Sequence, residues 1–116
     1  MISDAVFEIQ ARICRTMSSP IRLQIIHLLG IGPMSVGNIA QAMGQSESVI
    51  SRHLGILRNN NLVTTERHGQ EVIYQIANPK INEICGLMRE VLAEEASHQS
   101  QLVEGLSHEY TGRSDQ

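Results

Sequence analysis

Apolar positions along this chain keep a helical rhythm, give way once to β-rich segments, and then return to a helical rhythm until near its end. Val6, Ile9, Ile13 and Met17 recur every third or fourth position, predicting a first helix from about Ser3 to Met17. Ser19 and Pro20 open a second helix: the serine oxygen accepts an otherwise unpaired N–H, and proline at the first helical position already has its φ set. The run PIRLQIIHLLG is expected to close at Gly30 in the left-handed C′ conformation. Gly32 and Pro33 break the chain, Ser35 caps a short third helix carrying Val36, Ile39, Ala40 and Met43, and Gly44 stops it. After Gln45 alone, Ser46 caps a fourth helix that ends in Asn59, Asn60 and Asn61, asparagine being second to glycine in tolerating the left-handed turn. Leu62–Arg67 and Glu71–Ile76 are β-rich and are joined by His68, Gly69 and Gln70, a hairpin signature. Asn78 and Pro79 introduce the longest helix, with a stripe of Ile81, Ile84, Cys85, Met88, Val91 and Leu92 that a narrower set, Leu102, Val103 and Leu106, extends towards Tyr110.

Two helices separated by one residue must cross steeply, which is helix-turn-helix geometry, and a hairpin directly after them is a wing. The expected fold is therefore mainly α with a small β-hairpin wing: a winged helix-turn-helix domain over residues 1–110, followed by a flexible tail at 111–116. On the fourth helix Ser48, Ser51, Arg52 and Gly55 fall on one side, while Val49, Ile50, Leu54 and Leu57 fill the opposite flank. One face packs and the other is free to enter a major groove of double-stranded DNA. Arginine chelates a guanine edge through two hydrogen bonds, and serine suits bases or phosphates, so Ser46, Ser48, Ser51 and Arg52 are the candidate readers. Arg67, His68 and Gln70 are candidates to grip the backbone from the wing. Any solvated helix carries such residues; the tight turn and the wing favour the DNA reading.

Composition limits the alternatives. At 116 residues and 41% hydrophobic, the chain suits one domain whose modest core gains from a partner surface. The net charge of −3 hides a division: residues 1–14 sum to −1, residues 15–76 to +2 and residues 77–116 to −4. Phosphate attraction follows the local field, so the basic middle permits DNA binding with strong salt dependence. No apolar run reaches a membrane span, and the opening MISDAVFEIQ is unlike a signal peptide, so a cytoplasmic location without membrane contact is expected. With only Phe7, Tyr74 and Tyr110 as aromatics, stacking on single strands is disfavoured. An enzyme is disfavoured too, since the chain has no phosphate-cradling glycine motif, no metal-hydrolase histidine pair and no cysteine nucleophile with a local partner. The acidic total and long last helix leave a second reading, a winged helix that binds protein without direct DNA readout.

Three stretches, RTMSSPIRLQIIHLL, SVGNIAQAMGQSESVISRHLGILRNNNLV and ERHGQEVIYQIANP, together resemble the ArsR/SmtB family of bacterial winged-helix repressors over roughly residues 12–80. The most specific pieces are Pro20, Arg22 and Leu23, then Ser51-Arg52-His53-Leu54, and the wing from Gly69 to Tyr74. The resemblance implies a homodimer joined by its first and last helices and repression until a metal ion or other chemical signal lowers DNA affinity; two reader helices related by the dimer axis then predict an inverted-repeat operator. It also makes His53 a candidate DNA contact, although a histidine beside Leu54 equally suits a half-buried structural role. Gly55 and Gln70 depart from the basic residues common in relatives.

No cofactor is required on this reading, and the inducer is open between a metal ion and a thiol-reactive agent. The family's thiol site would fall at Ser35 and Gly37, and its last-helix metal site near Asn82, Ile84 and Glu95; neither set supplies the ligands. Cys14 and Cys85 form a candidate thiol sensor, provided both are accessible and close, against the plainer reading that Cys85 is a core residue on an apolar stripe. His98, His108 and Glu109 are weak metal candidates: ten residues is close to three helical turns, so the two histidines share a helix side. Charge and histidine on an exposed helix are ordinarily solvation.

Overall fold

The structure, a computed structural model, describes the backbone of residues 1–111 and the side chains of residues 1–101. Five helices and three strands follow in order: α1 (Asp4–Thr16), α2 (Pro20–Ile31), β1 (Met34–Ser35), α3 (Val36–Met43), α4 (Glu47–Asn59), β2 (Val63–His68), β3 (Glu71–Ile76) and α5 (Lys80–Thr111). The described residues form a mainly helical winged helix-turn-helix.

Local chemistry sets most boundaries. Ser19, Ser35 and Ser46 each accept the backbone N–H three residues on, from Arg22, Asn38 and Val49, satisfying one orphan donor at the start of α2, α3 and α4. Gly44 closes α3 at φ +64°, and Asn61, at φ +61°, makes the left-handed exit from α4. Asn78 starts α5 by accepting the Lys80 N–H on its side-chain oxygen at 2.9 Å.

Gly30 departs from expectation. It lies inside α2, which runs on to Ile31, and the helix ends at Gly32 in an extended conformation. What calls for glycine at position 30 is a close approach: an added Cβ would overlap the side-chain amide of Asn82. That amide donates to the Ile26 carbonyl at 2.8 Å, tying the first turn of α5 to α2.

The wing carries one strand more than the sequence pattern indicates. β3 is central, with β2 on one side and β1 on the other, all antiparallel. Met34 pairs with Tyr74 and Ser35 with Ile73, a two-residue strand too short to show any periodicity. His68 pairs with Glu71, so the hairpin turn is the pair Gly69-Gln70, with Gly69 at φ +65°.

The chain groups into two compact units, one spanning Met1–Glu83 and the other beginning at Ile84. In the first, Ile25, Ile26 and Leu29 of α2, Ile39 and Ala40 of α3, Ile50, Leu54 and Leu57 of α4, and Leu62 and Val63 at the foot of the wing are buried. Each large member stabilises the domain by about 1.5–3 kcal/mol. The second unit is the body of α5, along which Leu87, Met88, Val91 and Leu92 stand exposed. On α1, Val6, Phe7 and Ile9 are also exposed. Among the described residues, no helix is long and apolar enough to cross a membrane. The side chains of Leu102, Val103, Leu106, His108, Glu109 and Tyr110, and the tail from residue 112, lie outside the described residues.

Candidate nucleic-acid interface

The buried flank of α4, Ile50, Leu54 and Leu57, fixes which side of the helix faces out. Ser46, Ser48, Ser51 and Arg52 are all exposed on the outward side. The hydroxyl of Ser46 is already engaged, capping α4 and lying 3.3 Å from the Ser48 hydroxyl. Ser48 shares that hydroxyl contact, and Ser51 and Arg52 make no side-chain hydrogen bond among the described residues. Gly55 sits half-buried in mid-helix with nothing within 4 Å of an added Cβ, so the helix has open space at that point.

In the wing, Arg67, His68 and Gln70 are exposed at the end of the hairpin. His68 Nε2 lies 3.2 Å from the Glu66 carboxylate, a partner that the strand's alternation provides because residues two apart share a face. An exposed pair of this kind adds little stability but orients the imidazole.

His53 is turned inward from the outward face, the half-buried placement that the sequence left open beside a DNA contact. It is 7% exposed, turned under α4 towards α2. Its Nδ1 lies 3.1 Å from Nη1 of Arg22, and Arg22 Nε donates to the carbonyl of Thr16, the last residue of α1. A guanidinium can only donate, so Nδ1 accepts and the ring proton resides on Nε2. Burial first, then the neighbouring charges of Arg52 and Arg22, hold the His53 pKa below its ordinary value of 6.5. Sequence reasoning placed Arg22 at a helix opening without a task. A signal was there, since a cation in the first turn opposes the helix dipole and needs another reason to be present.

The bacterial regulatory protein arsR family matches residues 19–65, the span from the cap of α2 into β2. Over 107 residues the chain is 34% identical to the HTH-type transcriptional regulator Rv0081 of Mycobacterium tuberculosis, a match covering 91% of this chain and 94% of that protein. The chain belongs to the ArsR family of transcriptional regulators. The crystal structure of Rv0081 superposes with a TM-score of 0.76 at 33% identity, covering 84% of this chain and 99% of that one. The homodimeric winged helix-turn-helix DNA-binding domain of Mb0332 from Mycobacterium bovis gives 0.75 at 31% identity, covering 84% and 93%. A biofilm growth-associated repressor of Xylella fastidiosa is 30% identical over 78 residues, 67% of this chain and 68% of that protein. Membership makes the chain a non-enzymatic regulator.

The candidate sensor groups of this ArsR-family chain are placed unequally. Cys14 is exposed on α1, whereas Cys85 is buried in α5, 4% exposed. Burial pushes the Cys85 thiol pKa up, and the Arg89 guanidinium only partly opposes it, so Cys85 carries less reactive thiolate than a free cysteine. His98 is exposed on α5. Among the described residues, no three His, Cys, Asp or Glu side chains gather as a metal-binding group.

Proposed function

We propose that this protein is a homodimeric, sequence-specific repressor that reads an inverted-repeat operator in double-stranded DNA. The observation that carries the reading is the outward face of α4. Ser48, Ser51 and Arg52 stand exposed opposite a fully buried flank, on the second helix of a helix-turn-helix and directly before a wing that presents Arg67, His68 and Gln70. The exposed apolar side chains of α1 and of α5 support the dimer. Phe7 is 54% exposed and Leu92 61%, and a second copy covering each stripe removes that surface from water. Two reader helices then enter major grooves about one helical turn apart, and the occupied operator excludes polymerase. Phosphate contacts fix the register while Arg52 and the serines read base edges.

Release by a chemical signal fits the same scheme if the signal disfavours the DNA-bound state of the dimer. A thiol-reactive agent would meet Cys14 before Cys85, because only Cys14 is exposed.

The test is a fluorescence-anisotropy titration of the promoter fragment upstream of its own coding region. Arg52→Ala should weaken binding by about 1–3 kcal/mol and relax specificity at the base it reads. A reporter driven by that promoter should rise when the protein is removed; a fall would mark the protein as an activator. Unchanged affinity in Arg52→Ala, with the variant folded, would sink the assignment of α4 as the reader.

A further inference from the structure

Arg22 occupies a position that the DNA-reading face alone does not explain. It is half-buried at the start of α2, yet its donors reach two other helices: the C-terminal carbonyl of α1 at Thr16, and Nδ1 of His53 beneath the reader helix α4. We propose that Arg22 and His53 form a latch that fixes the reader helix against the end of α1, and that protonation of His53 opens it and weakens operator binding. The inference rests on the operator reading above and names a regulation of that same site.

The argument is geometric. Nδ1 can accept from Arg22 only while it lacks a proton. Adding one puts N–H against N–H at the 3.1 Å separation and sets an imidazolium, on a ring only 7% exposed, beside a half-buried guanidinium. Among the described residues, no ion pair joins a carboxylate to either side chain. The charged groups facing His53 are Arg22 from α2 and Arg52 from its own helix, both cationic. The other ionisable residue of α2, His27, is exposed, α3 contains no ionisable residue, and Glu66, Arg67 and His68 of β2 are exposed on the wing. The protonated ring must therefore move or Arg22 must let go. Either outcome frees the turn of α4 that holds Ser51 and Arg52, and cuts the tie to α1. Arg22 and His53 are thus positioning residues, acting on DNA through the setting of their neighbours.

The sign is opposite to that of an exposed histidine. Added positive charge on a DNA-facing surface favours binding, whereas protonating His53 disfavours it. Because the folded His53 titrates below the ordinary 6.5, the latch is closed at neutral pH and opens as the pH falls through the folded value.

The experiment uses the full chain and its promoter duplex, titrated at fixed ionic strength from pH ~5 to ~8, with helix content and dimer mass followed at each pH. Four proteins are compared: wild type, His53→Gln, His53→Leu and Arg22→Lys. Glutamine retains an acceptor without titrating, so His53→Gln should match wild type at neutral pH and outbind it on the order of tenfold at the acid end. Leucine fills space without accepting and should bind weakly at every pH. Lysine keeps the charge of Arg22 but lacks the fork that spans both acceptors, and should also lose the His53-dependent acid loss; this variant decides the matter if His53→Leu does not fold. Parallel profiles for wild type and His53→Gln, full neutral-pH binding by folded His53→Leu, or a wild-type acid profile in Arg22→Lys would each overturn the latch alone. Absence of binding by wild type at neutral pH overturns the operator reading and the latch with it.

Discussion

The same residue type takes different roles in this chain according to what lies beside it, and the two cysteines show it most plainly. Cys14 is exposed on α1, while Cys85 is buried with its thiol pKa pushed up by that burial. A thiol reagent should modify Cys14 in a fast phase and leave Cys85 slow until the protein is unfolded, and Cys14→Ser should abolish the fast phase. Reaction kinetics with an aromatic disulfide check this directly; a single fast phase counting both thiols would contradict it. Histidine divides in the same way, with His68 exposed at the wing and His53 turned under its helix. The sequence pattern set His53 at the edge of the apolar flank, where an imidazole can go either way. Its orientation is settled by Arg22, 31 positions earlier, and no local pattern shows a partner at that distance. The serine caps were legible for the opposite reason: each bonds a backbone amide three residues away.

Elements were legible where their stop signals are local, and illegible where packing imposed them. The tight connection from α3 to α4 follows from Gly44 in the left-handed region, with Gln45 alone before the Ser46 cap. β1 was missed because two residues cannot display an alternation, and it exists only because β3 offers a free edge to Met34 and Ser35. The reader helix is the element whose stability can be moved in both directions. Ser46→Ala removes the acceptor for the Val49 amide and should cost about 1 kcal/mol. Gly55→Ala meets open space in mid-helix and should return a similar amount, about 1 kcal/mol, through helix propensity. Urea titrations of the two single variants and the double should show opposite shifts that nearly cancel. A loss of stability in Gly55→Ala would show that the flexibility of that turn is needed for the fold.

At the scale of the whole molecule, net charge misleads and distribution informs. The chain sums to −3, yet its middle is basic, so operator affinity should fall steeply and linearly in log–log form with salt. Assembly should be equally sensitive to surface chemistry. Placing a carboxylate in either apolar stripe, as Phe7→Glu on α1 or Leu87→Glu on α5, should shift sedimentation towards the monomer and weaken DNA binding in parallel. Dimers surviving both substitutions would remove those stripes from the interface. The family could be read from motifs spread over roughly residues 12–80, but the tie between α2 and the start of α5 could not, because a lone asparagine and a glycine 52 positions apart announce nothing by themselves. That tie limits which parts can be interchanged. Gly30 leaves the notch that Asn82 fills, so a chimera taking its long helix from a relative with a bulkier residue at this point would collide there, and one with a smaller residue would leave the Ile26 carbonyl without its donor. The two positions should drift only in concert, and a library randomising both at once should return survivors as matched couples.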